Sequence, residues 1–280
     1  MRIQPSEEGF TAHIQSTGAL AFRVYSPADV IFYGLNINHV ATGSGRVIWN
    51  ESSLSLSNTT VRNGNVITEP AGKGGGIYNK GSLSLSTCQI TTNHAKRGGG
   101  IYNEGGSITM YGCTISQNEA TMAGGGIYNV NPTAGGNPPT DITAFNTTIT
   151  GNKAKAGGGI FTRGVVDFYD SSLKSNQALA GGGSGETCGA SASCDGFGGG
   201  GCSVAASNIT YSRIAFHGNS LIDSNTADAR GGGFYSAGQL ELITATLSNN
   251  SSRRGGAIFA SNSGNNHYCN VQHPRASFPS

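Results

Sequence analysis

The stretch Gly74-Gly75-Gly76-Ile77-Tyr78-Asn79 is the most often repeated pattern in this 280-residue chain. The same six residues return at 98–103 and at 124–129. Weaker copies follow at 157–162, 198–203, 231–236 and 255–260. Neighbouring copies begin 24 residues apart at 74 and 98, and again at 231 and 255. A period of this length indicates a solenoid, so the repeat determines the fold class.

Two further segments complete each repeat. In one, apolar and polar residues alternate, as in Leu83-Ser84-Leu85, which is typical of a half-buried strand. In the other, an apolar residue stands three positions before an Asn, as Ile90 does before Asn93. No window shows the i, i+3, i+4, i+7 spacing of an amphipathic helix. The repeat therefore predicts an all-β fold, a single-stranded parallel β-helix (solenoid) of about 9–10 coils with three strands per coil.

The repeats predict one β-helix domain over residues 1–260, in which 1–50 are divergent N-terminal coils and 51–260 are the regular repeats. Because the pattern is lost after residue 260, we expect 261–280 to be a C-terminal tail or cap.

Two segments lengthen the period and are interpreted as insertions, at 130–141 and at 181–197. In the N-terminal part, Arg46–Asn50 is a divergent copy of the glycine-rich strand, with Trp49 in the place of the Tyr.

Stacked coils place equivalent side chains above one another, so each repeat position predicts a column. The Leu83 and Leu85 columns are apolar and are expected inside, whereas the Ser84 column is polar and is expected to face water. The recurrent Asn is predicted to form a structural ladder at a turn, because Asn tolerates left-handed backbone and stacked amides can hydrogen-bond along a column. The predicted ladder consists of Asn93, Asn118, Asn152, Asn176, Asn225 and Asn250.

The glycine runs are expected at tight turns with positive φ and at close backbone approach. After each run, Ile and Tyr alternate, and we expect the Ile side chains inside and the aromatic rings outside. Outward rings would either stack on one another or present a surface to sugar rings. The aromatic residues considered for binding are Tyr78, Tyr102, Tyr128 and Tyr235.

The six cysteines do not have the spacing of a zinc site, and we expect no metal ion and no cofactor. Cys88 and Cys113 share one repeat position, where a buried stack of thiols is favoured over a disulfide. Cys188 and Cys194 both lie in the second insertion, where an oxidising compartment would allow a disulfide that closes the loop.

Composition indicates an extracellular or cell-surface protein, because charged residues are only 11% and Ser, Thr and Asn replace them. The net charge of +2 gives no case for a nucleic-acid partner. No apolar run is long enough for a transmembrane helix. Met1–Phe10 lacks the basic start and apolar core of a signal peptide. The sequence is therefore an interior part of a longer secreted protein, or its true start is missing, or the protein is not secreted; the first two alternatives are favoured.

Charged residues that could catalyse a reaction are few. Asp167 and Asp170 are the weak candidates among the carboxylates, and Arg163 and Lys153 are the nearby bases. Glycosidic hydrolysis needs two carboxylates within reach of one bond. A lyase would need a base and converging oxygen ligands for Ca²⁺, the one ion that this alternative implies. Plain solvated surface is the favoured interpretation of both carboxylates.

The repeat resembles that of the chlamydial polymorphic outer-membrane proteins, which carry GGA[ILV] and FxxN motifs. Residues 255–258 (GGAI) match the first motif, and the GGGI copies match it with Gly for Ala. Ile90-Thr91-Thr92-Asn93 matches the second motif with Ile for Phe, and so do its equivalents. The resemblance covers roughly residues 45–260. It implies a right-handed β-helix, in a superfold shared with pectate lyases, and a passenger that acts in adhesion.

Two functions follow as hypotheses. The first is a non-catalytic secreted or cell-surface protein, similar to an adhesin or autotransporter passenger, that binds a host or matrix protein or a glycan along its flank. The alternative is a polysaccharide-active lyase or glycoside hydrolase with a site near the two insertions, because long loops often carry function.

Overall fold

The computed structural model describes residues 2–3, 12–40, 43–131, 141–180, 195–204, 212–261 and 269–272; for 2–3, 12 and 269–272 only the backbone is described. Every strand pairing in these residues is parallel, apart from one isolated antiparallel bridge between Gly45 and Asn65. The strands form four sheets, named A to D, and contain no helix in the described residues. The chain passes from A to B to C in each coil, and six coils add a strand of D between B and C.

The alternating segments form sheet A, and the segments before each ladder Asn form sheet B. Sheet A has ten strands: Arg2–Ile3, Asp29–Tyr33, Ser53–Ser57, Ser82–Ser86, Ser107–Tyr111, Ile142–Phe145, Val165–Tyr169, Arg213–His217, Gln239–Ile243 and Cys269–Gln272. Sheet B has nine: Ala12–Ser16, Leu35–His39, Thr60–Arg62, Gln89–Thr91, Thr114–Ser116, Thr148–Thr150, Ser172–Lys174, Leu221–Asp223 and Thr246–Ser248.

The glycine-rich segments form sheet C, and sheet D stands between each ladder Asn and the next glycine run. Sheet C has nine strands: Leu20–Val24, Arg46–Asn50, Ile77–Asn79, Ile101–Glu104, Ile127–Val130, Ile160–Arg163, Gly201–Val204, Phe234–Ala237 and Ile258–Ala260. Sheet D has six: His94–Arg97, Glu119–Ala123, Lys153–Ala154, Gln177–Ala178, Thr226–Arg230 and Ser251–Arg254.

The architecture is a right-handed parallel β-helix, as predicted, because consecutive strands enter different sheets and each strand pairs with its equivalent one repeat away. The register places like residues together: Leu83 pairs with Leu54 and Ile108, and Ser84 pairs with Ser55 and Thr109. Sheets A, B and C account for the three predicted strands per coil. Sheet D adds a fourth strand in six coils, which the sequence pattern did not predict because its inward residues are small, such as Ala95, and show no alternation of large apolar and polar side chains.

The main core lies between the sheets and runs the length of the solenoid. Leu83 and Leu85 of sheet A, Ile90 of sheet B and Ile77 of sheet C are at most 1% exposed, and their equivalents in the other coils pack with them. Sheet D contributes small side chains, such as Ala95, which is fully buried. The apolar columns are therefore inside, as the alternation predicted.

The glycine runs meet two requirements, positive φ and close backbone approach. Gly124 opens its run with a φ of 65°, in the left-handed region that favours glycine. A Cβ on Gly125 would lie 2.4 Å from the carbonyl oxygen of Gly158, in the next coil. A Cβ on Gly126 would lie 2.6 Å from the carbonyl oxygen of Gly159 and 3.1 Å from the side-chain amide nitrogen of Asn152. Both predicted reasons are thus met within one run, and they coincide at Gly124, because its Cβ would also meet the carbonyl oxygen of Ile127.

The repeat continues one strand further than predicted. Cys269–Gln272 extends sheet A beyond Gln239–Ile243, with Cys269 paired to Leu240 and Val271 paired to Leu242. These partners belong to the two inward columns, so the backbone after residue 260 returns to the same path.

Candidate functional site

Six asparagines stand one above another at the corner between sheets B and D. In the middle of this column, the side-chain oxygen of Asn118 accepts hydrogen bonds from the backbone N–H and the side-chain amide of Asn93, both at 3.0 Å. The Asn118 amide donates to the carbonyl of Ile90 at 2.9 Å and to the side-chain oxygen of Asn152 at 3.0 Å. The same bonds link the remaining members, through Asn176 and Asn225 to Asn250.

The left-handed residue at this corner is the one before each Asn, and not the Asn itself as expected. Thr92 has a φ of 53° and Gln117 a φ of 54°, whereas Asn93 and Asn118 have no positive φ. The amide is therefore required for its hydrogen bonds rather than for its backbone conformation. Asn93 thus contributes a fully buried, inward-pointing amide, and Thr92 before it takes the left-handed conformation.

A second asparagine ladder follows the glycine runs and was missed in the sequence. The side-chain amide of Asn50 donates to Asn79 at 2.8 Å, Asn79 to Asn103 at 2.7 Å and Asn103 to Asn129 at 2.9 Å. Its signal was the last residue of the GGGIYN motif. Asn129 has no Asn above it, because the next coil has Thr162 at this position, and it donates to the hydroxyl of Thr162 at 3.1 Å.

Asp141 joins the end of this second ladder. Its carboxylate accepts hydrogen bonds from the side-chain amides of Asn129 and Asn131 and from the backbone N–H of Val165, at 3.2, 2.9 and 2.9 Å. Burial raises the pKa of Asp141, and the three hydrogen bonds oppose that rise without cancelling it. The carboxylate thus terminates a structural network at the corner between sheets C and A.

The aromatic rings of sheet C lie on the face away from the main core, as predicted, but they are buried, so the expectation that they are exposed outside is wrong. The exposed fractions of Tyr78, Tyr102, Tyr128 and Tyr235 are 5, 5, 3 and 1%. The rings stack on one another, with centroids 5.7 Å apart between Tyr78 and Tyr102 and 4.9 Å apart between Tyr102 and Tyr128. These rings therefore offer almost no surface to a sugar.

The burial follows from the sharp turn at the glycines. Ala123 and Ala156, each just before a glycine run, pack in one cluster with Tyr128 on the face of sheet C that lies away from the main core. Ile127, the neighbour of Tyr128, belongs to the main core. Sheets D and C thus meet at an outer corner that the rings fill, so both faces of the Ile-Tyr strand are buried.

Cations and a carboxylate border this corner. The Tyr78 hydroxyl and the Lys73 ammonium both donate to the carboxylate of Glu104, the latter at 2.9 Å. Burial alone would raise the pKa of Glu104, but these two hydrogen bonds outweigh it and the pKa is lowered. Burial, and then the bond to Glu104, raise the pKa of the Tyr78 phenol, so both groups keep their ordinary charge at neutral pH.

The four residues considered for catalysis lie around the circumference of one coil. Lys153 is on sheet D, Arg163 ends a strand of sheet C, and Asp167 lies on sheet A. Asp170 follows that strand at the corner before sheet B, where its carboxylate accepts the backbone N–H of Asn219 at 2.9 Å. The structure therefore does not bring the four together at one site.

Asp167 is only 7% exposed and is ion-paired, so its interpretation as plain solvated surface is wrong. Its carboxylate lies 2.6 Å from the guanidinium of Arg213 in the next coil, and the same guanidinium reaches Glu241, one coil further, at 3.2 Å. The Nε2 atom of His217 is 3.9 Å from the Asp167 carboxylate. Arg213 holds the two carboxylates on either side of it, so this cluster is an ion-pair network on the outer face of sheet A.

A row of stacked rings lies on the same outer face and was not predicted. Tyr111, Phe145, Tyr169 and His217 occupy one column, with neighbouring centroids 4.9, 4.9 and 4.5 Å apart. Tyr111, at the end of the row, is 49% exposed. The outward aromatic ladder expected on sheet C is thus found on sheet A, over four coils only.

Cys88 and Cys113 are buried free thiols in adjacent coils. The backbone N–H of Cys88 lies 3.4 Å from the Cys113 sulfur, and the Cys88 thiol donates to the carbonyl of Leu56 at 3.3 Å. Cys188 and Cys194, considered for a disulfide, lie outside the described residues.

The two insertions leave the coil at different corners. The first separates sheets C and A, and the second separates sheets D and C; most of both lies outside the described residues. Among the residues that the structure describes, no three His, Cys, Asp or Glu side chains converge as metal ligands. In the same residues, no helix is long and apolar enough to span a membrane.

Comparison with known proteins agrees with the repeat. The family model of the Chlamydia polymorphic membrane protein repeat matches residues 146–163 and 244–261. Both matched segments run from the corner after sheet A, through sheets B and D, to a strand of sheet C, and both contain a ladder Asn. No curated protein and no solved structure gives a significant match. The chain is therefore a parallel β-helix repeat protein that resembles the Chlamydia polymorphic membrane protein repeats.

Proposed function

We propose that this chain is a non-catalytic binding module displayed outside the cell or on its surface, in the manner of an adhesin passenger. One observation carries the proposal: Lys153 lies on sheet D, Arg163 at the end of a sheet C strand, and Asp167 and Asp170 on and just after a strand of sheet A. Acid–base catalysis on one bond needs the reacting groups within hydrogen-bond reach of it. The side chains are arranged instead in continuous columns, which suit binding along the flank.

The similarity to the Chlamydia polymorphic membrane protein repeat supports display at the cell surface. A surface rich in Ser, Thr and Asn, with only 11% charged residues, agrees with an extracellular location. The partner on this proposal is a protein or carbohydrate on a host cell or in its matrix.

The test is binding of the purified, fluorescently labelled chain to cultured epithelial cells. We expect saturable binding that excess unlabelled chain displaces. Pretreating the cells with protease, or with enzymes that remove glycans, identifies the class of partner. Binding that does not saturate, or that unlabelled chain does not displace, would refute the proposal.

A polysaccharide-active enzyme is the second candidate, and the cluster of Asp167, Arg213, Glu241 and His217 on sheet A is the observation that favours it. The chain would be incubated with polygalacturonate and with neutral glucans, with Ca²⁺ or with a chelator, and new reducing ends and unsaturated products measured. Activity that is lost in Asp167→Asn would establish this candidate. If neither class of polysaccharide is cleaved, the binding module remains the proposed function.

A further inference from the structure

The charged side chains are divided unequally between the two sides of the solenoid. Of the fifteen Lys and Arg side chains that the structure describes, twelve lie on sheets C and D or on the segments at the ends of their strands. Six described carboxylates share this side, so it carries an excess of six positive charges. The other side, with sheets A and B, has three cations, namely Arg62, Lys174 and Arg213, and six carboxylates.

The twelve cations form a strip along the axis of the helix, which we call the basic strip. They occur in seven of the nine coils that sheet C spans, a length of about 40 Å at the usual spacing of strands. The strip consists of Arg23, Arg46, Lys73, Lys80, Lys96, Arg97, Lys153, Lys155, Arg163, Arg230, Arg253 and Arg254.

The buried aromatic column holds several of these cations in place. The guanidinium of Arg46 lies 4.9 Å from the ring centroid of Trp49, and that of Arg230 lies 5.0 Å from the ring of Phe197. The ammonium of Lys73 lies 4.9 Å from the ring of Tyr102. Arg46 is buried and pairs with Glu69, and Lys73 pairs with Glu104, so these two cations form the base of the strip. The exposed cations, such as Lys153 and Arg253, are the ones that an anion can reach.

We propose that the basic strip binds a linear acidic polysaccharide, with sulfate or carboxylate groups along its length, lying parallel to the helix axis. This inference rests on the proposed function and names the class of ligand for it. Arginine and lysine side chains at regular steps suit sulfate and carboxylate groups that recur along a chain.

Two other anionic partners fit the strip less well. Single-stranded nucleic acid is bound through exposed aromatic rings on which its bases stack, whereas the rings under this strip are buried. A membrane surface is bound through large apolar side chains that enter the lipid. Among the described residues, two exposed large apolar side chains lie at the ends of strands on this side, Tyr25 after a sheet C strand and Leu179 after a sheet D strand, and they are too far apart to form a patch that enters lipid.

The test uses the full chain and two double variants that remove the same charge from opposite sides. Lys153→Ser with Arg253→Ser removes two exposed cations of the strip, and Arg62→Ser with Lys174→Ser removes one Lys and one Arg from sheet B. Binding to immobilised heparin is measured at low and at high salt, with neutral dextran as the control surface. Midpoints of urea unfolding establish that each variant is folded.

We expect the chain to bind heparin at low salt and not dextran, with binding lost at about 0.5 M salt because exposed charges are screened. The strip variant should bind roughly tenfold more weakly, and the sheet B variant within about twofold of the parent chain. No heparin binding, or equal loss in both variants, would overturn the inference. Equal affinity for single-stranded DNA or for anionic phospholipid vesicles of matched charge would overturn the assignment to polysaccharide.

The two proposals fail separately. A chain that binds cells saturably but not heparin would contradict the basic strip and leave the binding module in place. A chain that binds heparin through the strip but does not bind cells would contradict the surface-binding role alone.

Discussion

Removing one amide from the middle of the first asparagine ladder should be one of the most costly single changes in this protein. The Asn118 side chain makes four hydrogen bonds, two accepted from Asn93 and one donated to each of Ile90 and Asn152. At roughly 1 kcal/mol net for each bond, Asn118→Ala should lower the free energy of unfolding by about 4 kcal/mol. The backbone N–H of Asn93 would be left buried without its acceptor, which adds to the cost.

Two matched variants calibrate the effect. Asn250, at the described end of the ladder, makes three of these bonds and is half-buried, so water can replace them and Asn250→Ala should cost about 1–2 kcal/mol. Asn219 is exposed at a corner, and Asn219→Ala should change stability by less than about 0.5 kcal/mol.

Equilibrium unfolding in urea measures all three variants. Trp49, the only Trp, reports on the N-terminal coils, and circular dichroism reports on the whole solenoid. Stability in a solenoid comes from contacts between neighbouring coils. Asn118→Ala can therefore also make the Trp49 transition and the circular dichroism transition occur at different urea concentrations. If Asn118→Ala costs no more than Asn219→Ala, the ladder contributes nothing to stability and the reasoning is wrong.

Three further variants test other parts of the structure. Gly124→Ala should lower the free energy of unfolding by more than about 3 kcal/mol, because the new Cβ would lie 2.4 Å from the carbonyl oxygen of Ile127. Gly112 has a similar φ and open space around it, so Gly112→Ala should cost about 1–2 kcal/mol. Equal midpoints of urea unfolding for the two variants would contradict this. Because burial raises the folded pKa of Asp141, the stability that its protonation contributes is complete below its unfolded pKa and is lost as pH rises through the folded pKa. The urea unfolding midpoint of Asp141→Asn, measured relative to that of the parent chain, should therefore rise between about pH 4 and pH 7. A relative fall over this range would refute the raised pKa. Tyr128→Ala should lower the free energy of unfolding by about 3–5 kcal/mol, yet the folded variant should bind cells as the parent chain does. Reduced binding by the folded variant would show that the ring contacts the partner.

The sequence determined the repeating path of this chain because a parallel solenoid has like residues above like. Alternation at Leu83-Ser84-Leu85 established an inward and an outward face for sheet A, and the recurrence of an Asn three positions after an apolar residue, as in Ile90 and Asn93, identified a ladder. These are local patterns, and each coil repeats the same local choices. Taken together, these patterns resemble a known repeat family. The alternation of apolar and polar residues alone would not have identified that family.

Only the tertiary structure decided where Tyr78 and its equivalents lie. Alternation predicts opposite faces for Ile77 and Tyr78, but it cannot show that the chain turns sharply enough at the glycines for Ala123 to cover the ring of Tyr128. That turn depends on left-handed glycine and on the close approach of neighbouring coils. The division of charge between the two sides has the same origin, because Lys153 and Arg230 are distant in sequence and share a side through the path of the coils.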